Sequence, residues 1–319
     1  MSKSNLPPMG VYVPAVVWFD ANDELDDTAI KAHVLRLAQG GVTGILVQGS
    51  NGEAQHLTHD ERKQAIRLTK QTLADNGFGN VTVVAGTGGQ STKETIKLCV
   101  DAHDAGAQFA LVLTPGVWPP QMTKTNIIRF FQAVADASPI PIMIYNFPTV
   151  TAGIDLDSDT IITLAAHPNI VGVKLSCGNV GKLHRIASTY NRDFRVFAGK
   201  ADVFLQGVLS GSAGAMAALP NVAPKAHIHT YNLFLQGELE EAFKMQALLG
   251  HADWQLGKLG SITAIKSFVA RHFDYGTTNV RGPLAPLDIE TATADKLEEL
   301  IQLEKSLPDT TRLEVSLLG

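Results

Sequence analysis

Between residues 11 and 236 the chain repeats one pattern: a short run of β-branched and apolar residues, a turn, then an amphipathic stretch long enough for a helix. Strands are expected at Val11–Phe19, Thr43–Gln48, Val81–Ala85, Phe109–Thr114, Pro141–Tyr145, Ile170–Leu175, Phe194–Ala198 and Ala213–Ala218. Helices are expected at Asp26–Gln39, Thr58–Asn76, Thr92–Ala105, Lys124–Ser138, Ser158–His167, Gly181–Tyr190, Ala201–Leu209 and Pro224–Gln236. Thr58 ahead of Glu61, Ser91 ahead of Glu94, and Asp157 with Ser158 are side chains suited to cap helix starts. Eight strands alternating with eight helices predict an α/β fold, a closed (β/α)8 TIM barrel, with a doubly wound open sheet as the alternative. Beyond Gly237 only helical patterns remain, at Glu238–Gly250, Ser261–His272 and Thr291–Leu307. The expectation is therefore a barrel over residues 1–236 and a C-terminal helical extension over 237–319, with no linker between them.

At 319 residues the chain can bury one large core and an appendage. The net charge of −5, with no basic stripe interleaved with aromatics, argues against nucleic acid as a partner. Cys99 and Cys177 are too few for a disulfide framework or a cysteine zinc cage. The segment Met1 to Pro8 has no apolar signal core, and no run reaches membrane-spanning length. The expected location is cytoplasmic, and no membrane contact is expected.

The chemistry is expected at Lys174. It sits in Ile170-Val171-Gly172-Val173-Lys174-Leu175, which reads as a strand buried on both faces. A buried ammonium is costly, and desolvation favours the neutral, nucleophilic amine, as imine formation with a carbonyl substrate requires. Barrel strands point alternate residues inward, with active sites at their C-terminal ends. That parity turns Gly172 and Lys174 inward and Val171, Val173 and Leu175 toward the helices, with Gly172 leaving room for a ligand. The competing reading is a lysine that snorkels to solvent.

Tyr145 lies one strand–helix unit, 29 residues, before Lys174 and shares inward parity with Met143. Its hydroxyl is placed to move protons during imine chemistry; an interior aromatic bonded to a carbonyl is the alternative. Strand two ends in Gly49-Ser50-Asn51-Gly52-Glu53. Such a turn can aim successive amides at a carboxylate, and Ser50 could relay protons to Tyr145. Taken in isolation, an ordinary strand–helix turn with Asn in a left-handed conformation is the favoured reading. Glu53 reads as structural support.

Lys200, at the end of strand seven, follows Gly199 and precedes Asp202, so it reads as a loop lysine beside a carboxylate and a possible contact to substrate or structure. His56 and His59 lack the HExxH arrangement, and His227 and His229 cannot share a helix face well. No metal is expected. Gly211-Ser212-Ala213-Gly214 leads into strand eight and reads as turn chemistry rather than a phosphate loop.

The ordered motifs Gly49-Ser50-Asn51-Gly52-Glu53, Tyr145-Asn146-Phe147-Pro148 and Gly172-Val173-Lys174 resemble those of the dihydrodipicolinate synthase/N-acetylneuraminate lyase family of class I pyruvate-dependent aldolases. The resemblance covers most of the chain. It implies that Lys174 forms the imine with a keto acid, Tyr145 is the general acid/base, Ser50 and Asn51 hold the pyruvyl carboxylate, and Gly199 and Met216 line the pyruvate end. It implies no cofactor, a small-molecule keto acid as partner, and a homo-oligomer, tetramer or dimer. Two synthase features are missing: a tyrosine in the loop after strand four, here Thr114-Pro115-Gly116-Val117-Trp118, and an arginine after the tyrosine motif, here Thr149-Val150-Thr151. Both absences argue against aspartate semialdehyde as co-substrate. GILVQGSNGEAQHLTHDER, PIMIYNFPTVTAGIDLDSD and VGVKLSCGN look most like fungal L-threo-3-deoxyhexulosonate aldolases, which implies cleavage of 2-keto-3-deoxy-L-galactonate to pyruvate and L-glyceraldehyde in galacturonate breakdown. The rivals are a 4-hydroxy-2-oxoglutarate aldolase or other pyruvate lyase of the family, a metal-dependent class II aldolase, and a non-catalytic keto-acid binder.

Overall fold

The computed structural model describes residues 5–190, 193–287 and 294–309. Eight parallel strands close into a barrel in sequence order: β1 Gly10–Pro14, β2 Gly44–Val47, β3 Thr82–Gly86, β4 Phe109–Leu113, β5 Ile142–Asn146, β6 Ile170–Leu175, β7 Arg195–Ala198 and β8 Gly214–Met216. The helices that follow them are α1 Asp27–Gln39, α2 His59–Asp75, α3 Thr92–Asp104, α4 Lys124–Ala137, α5 Ser158–Ala165, α6 Val180–Tyr190, α7 Phe204–Leu209 and α8 Pro224–Gln236. The caps form as expected. Thr58 and Glu61 make a reciprocal capping box, and Ser91 and Asp157 accept from the amides of Glu94 and Thr160.

The barrel is filled rather than hollow. Tyr12, Leu46, Val84, Leu111, Met143, Tyr145, Phe197 and Met216 belong to one interior cluster, while Val13, Ile45, Val83, Val173 and Leu175 face the helices. Strand parity thus holds across most of the sheet. It fails at Val171, which joins the interior cluster. Ile142 pairs with Ile170 but Met143 pairs with Gly172, so β6 carries one extra residue there. Such a bulge resets which face a side chain takes.

Two expected strands end early and one expected helix divides. β1 stops at Pro14 rather than Phe19, because the Val16 amide donates to the Asn221 side chain instead of a strand. β8 stops at Met216 because Ala218 has helical dihedrals and starts the Leu219–Asn221 turn. The helix expected from Ala201 splits into a short 3-10 turn, Ala201–Val203, and α7, with Leu205 N–H drawn to Gln246 Oε1 at 2.9 Å.

Three further helices follow among the described residues: α9 Leu239–Lys258, α10 Ile262–His272 and α11 Asp295–Ser306. α9 runs eight residues past the expected end at Gly250, because Ala252 and Leu256 continue the buried face of Ala242, Gln246 and Leu249. The expected start of the last helix at Thr291 lies outside the described residues. α9 packs against α8, α11 and the Ala201–Val203 turn. After α10 the chain returns to the barrel. Tyr275 and Asn221 satisfy both ring nitrogens of buried His33, at 2.7 and 2.9 Å, and burial pulls that imidazole down to about 3. Thr277 and Asn279 donate to the carbonyls of Phe19 and Asp20, and Arg281 grips Glu61 and the His56 carbonyl.

Candidate active site

Lys174 and Tyr145 are paired in register at the C-terminal ends of β6 and β5. Each is only 4% exposed, and the Lys174 Nζ lies 4.3 Å from the centroid of the Tyr145 ring. Phe147 also stacks on the Tyr145 ring, with centroids 5.6 Å apart and planes 24° apart. Asn146 fixes this segment from below: its Nδ2 donates to Asp155 at 2.7 Å and its Oδ1 accepts the Leu156 amide at 2.9 Å. Asp155 in turn pairs with Lys182. The tyrosine is therefore held by its strand, its ring neighbour and a clamped loop.

Lys174 opens onto a cavity of ≈ 350 Å³, which Tyr145, Asn51, Gly199 and Lys200 also line. A second cavity, of ≈ 300 Å³, takes Gly49 and Ser50 in its wall and shares Tyr145 with the first. Tyr145 is thus the partition between the two. The Gly49–Gly52 segment forms one 3-10 turn closed by Gly52 N–H to the Gly49 carbonyl at 3.0 Å. The amides of Ser50 and Asn51 precede that first bond and so point out of the turn. Asn51 Nδ2 is buried and has no hydrogen-bond partner among the described residues, an arrangement that costs free energy unless a ligand accepts from it.

Three expectations need correction. Gly172 does not leave space for a ligand: a Cβ there would stand 2.6 Å from the Arg195 carbonyl and 3.1 Å from Met143 Cε, so its bareness serves the approach of β7. Met216 lines neither cavity. It is fully buried in the barrel interior, and Ala218 takes its place at the cavity wall. The Ser50 hydroxyl makes no hydrogen bond to Tyr145 among the described residues, and the two meet only across the second cavity. Lys200, read as a loop lysine and a possible contact to substrate or structure, lines the same cavity as Lys174. Gly199 lines the cavity with Lys174, packed so closely that a Cβ would come within 2.3 Å of Ser176 Oγ.

The histidines are engaged separately. His56 pairs with Glu53 at 3.3 Å, while His59 reaches Glu94 at 2.7 Å and Asp101 at 3.6 Å. His227 Nδ1 donates to the Ala223 carbonyl within α8 at 2.7 Å, and burial holds the imidazole at about 4.

Sequence reasoning missed the far wall of the cavity. It comes from α9, as Asp253, Trp254 and Lys258, facing Asp202 and Lys200. Asp202 N–H donates to Asp253 Oδ2 at 3.3 Å. Burial, reinforced by the Asp202 carboxylate, pushes Asp253 up to about 6. The available signal was the apolar spacing of Ala252 and Leu256, which carries the helix to this wall. A floor with a buried lysine and a phenol, a turn whose first amides point outward, and a wall mixing two carboxylates with two lysines can bind a keto acid with a polar tail.

No helix among the described residues is long and apolar enough to cross a membrane. Residues 7–303 match the dihydrodipicolinate synthetase family. A protein of Emericella nidulans named "Probable 4-hydroxy-2-oxoglutarate aldolase, mitochondrial" is 43% identical over 308 residues, covering 96% of this chain and 99% of the relative. An Aspergillus niger protein named L-threo-3-deoxy-hexylosonate aldolase is 40% identical over 327 residues, covering 94% and 97%. The structure of the E. coli K12 prophage protein YagE, in complex with pyruvate, superposes with a TM-score of 0.81 at 29% identity, covering 93% of this chain and 97% of that one. With the barrel, the strand-end lysine and tyrosine, and near-complete coverage in agreement, the chain belongs to the dihydrodipicolinate synthetase family.

Proposed function

We propose that this lyase is a Schiff-base aldolase that cleaves a 3-deoxy-2-keto sugar acid, 2-keto-3-deoxy-L-galactonate, to pyruvate and L-glyceraldehyde in galacturonate breakdown. The observation that carries the reading is the in-register pair of buried Lys174 and Tyr145 at the floor of one cavity. The substrate carboxylate docks on the Ser50 and Asn51 amides and on Asn51 Nδ2. Lys174 adds to the keto carbon, and loss of water leaves an iminium. Tyr145 gives its proton to the departing water and, as the phenolate this leaves, takes the proton of the C4 hydroxyl; the C3–C4 bond breaks, and its electron pair enters the iminium to give an enamine. The aldehyde departs. Protonation at C3 and hydrolysis release pyruvate and regenerate the amine. The iminium is the electron sink, so this route calls on no further group.

A second reading, 4-hydroxy-2-oxoglutarate cleavage, gains support from Lys200 and Lys258, which could receive a second carboxylate. Val150 lines only the second cavity and does not bear on it. Asp202 and Asp253 stand beside those lysines and offset their charge, which suits a hydroxylated tail better than an anionic one. The name of the Emericella relative places that protein in the mitochondrion, so cytoplasmic location rests on the sequence expectation alone.

The test combines borohydride trapping with substrate comparison. A pyruvate adduct on Lys174 and a kcat/KM at least about tenfold higher for 2-keto-3-deoxy-L-galactonate than for 4-hydroxy-2-oxoglutarate support the proposal. The reverse ratio moves the assignment to the second reading, and no adduct anywhere removes imine chemistry.

A further inference from the structure

Glu53 and Lys266 form an ion pair at 2.5 Å with both side chains wholly withdrawn from solvent. They lie 213 residues apart, so the pair joins the turn after β2 to α10 of the C-terminal extension. Every oxygen of the carboxylate is used: Oε1 by Lys266, Oε2 by the Arg281 amide at 3.0 Å and by His56 Nδ1 at 3.3 Å. Lys266 also donates to the Asn279 carbonyl at 2.7 Å and stands 4.5 Å from the Phe19 ring centroid. Holding a fold needs nothing so expensive, because apolar side chains of similar volume usually serve as well in such a place. What an ion pair adds is direction.

The direction falls on the backbone of Glu53, which has φ 49° and ψ 37°. A residue with a side chain keeps this left-handed conformation only where its surroundings over-determine it. Glu53 is also the hinge between two short turns. Its amide closes Ser50–Gly52 by donating to the Ser50 carbonyl at 3.2 Å, and its carbonyl accepts from His56 at 2.8 Å to open Ala54–His56. Two residues before it sits Asn51, with its buried, unpartnered Nδ2.

We propose that Glu53 and Lys266 are positioning residues that hold the Gly49–Asn51 turn in register for the substrate carboxylate, so that α10 of the extension sets affinity for the keto-acid head. The inference rests on Ser50 and Asn51 being the carboxylate site.

The test is the double variant Glu53→Gln/Lys266→Met, which removes both charges at near-constant volume. Its folding is checked by thermal unfolding. Borohydride trapping is then titrated with pyruvate and with methyl pyruvate, whose ester carries no anion. The half-saturating concentration of pyruvate is expected to rise about tenfold or more, while that of methyl pyruvate stays within about twofold. An equal rise for both probes marks general damage and overturns the proposal, as does no rise for either. If the double variant does not fold, Glu53→Asp keeps the charge, shortens its reach and carries the same two expectations. Asn51→Ala separates the underlying reading. If it leaves the pyruvate titration unchanged, the carboxylate site is misassigned and the inference falls with it. If it raises that value while the pair variants do not, only the positioning role is lost.

Discussion

The Lys174 ammonium rests 4.3 Å from the centre of the Tyr145 ring, and the two residues are direct register partners on neighbouring strands. Among the described residues no carboxylate forms an ion pair with Lys174. The ring face supplies about 0.5–2 kcal/mol of attraction for the cation without the tight hold of a counter-ion.

Tyr145→Phe keeps the ring and its packing on Phe147 and removes only the hydroxyl. Trapping of pyruvate should persist while aldol cleavage falls by roughly two to four orders of magnitude. Undiminished cleavage, measured as aldehyde release, would take Tyr145 out of the mechanism.

Two lysines share the cavity, so the nucleophile has to be assigned directly. In Lys200→Met the borohydride adduct should remain, and peptide mapping should locate it on Lys174. In Lys174→Met it should vanish. Retention in the second variant, with the mass on Lys200, reverses the roles.

Gly172→Ala brings a methyl group to 2.6 Å from the Arg195 carbonyl. Urea unfolding should show a loss of about 1–3 kcal/mol, the usual cost of overpacking a dense core. Unchanged stability with a raised KM would mean that the position faces open space after all.

His227 is held neutral by burial, at about 4 against the ordinary 6.5. Its folded value lies below its unfolded one, so the stability it contributes is full above pH 6.5 and is lost as pH falls toward 4. Relative to His227→Phe, the wild-type chain should lose about 1.4 kcal/mol per pH unit across that window. Denaturant midpoints taken at pH 7, 6 and 5 give the slope, and parallel curves for the two proteins would contradict it.

The barrel was legible because a period of two alternates with a helical period eight times, and the same parity aimed Tyr145 and Lys174 inward. Where the reading failed, the cause was non-local. The bulge at Val171 is a property of the β5–β6 pairing and leaves no mark in β6 alone. Gly172 looked like room for a ligand because the carbonyl of Arg195 is brought there only by closure of the barrel. Asp253, Trp254 and Lys258 sit on an ordinary amphipathic helix, and only its docking against the Ala201–Val203 turn carries them to the cavity. The capping box at Thr58 and Glu61, by contrast, is entirely local and was read without error.

The cavity has a floor built of paired strands and, with Lys200 and Asp202, a wall from α9 that is largely in solvent at Trp254, 65% exposed. Lys174 is written 79 residues before Asp253, in a separate stretch of the gene. Substitutions confined to Asp253, Trp254 and Lys258 therefore change one wall and leave the strand pairing of Lys174 with Tyr145 as it is. Under the proposed aldolase reading, a library on α9 alone varies the acceptor aldehyde in the synthetic direction.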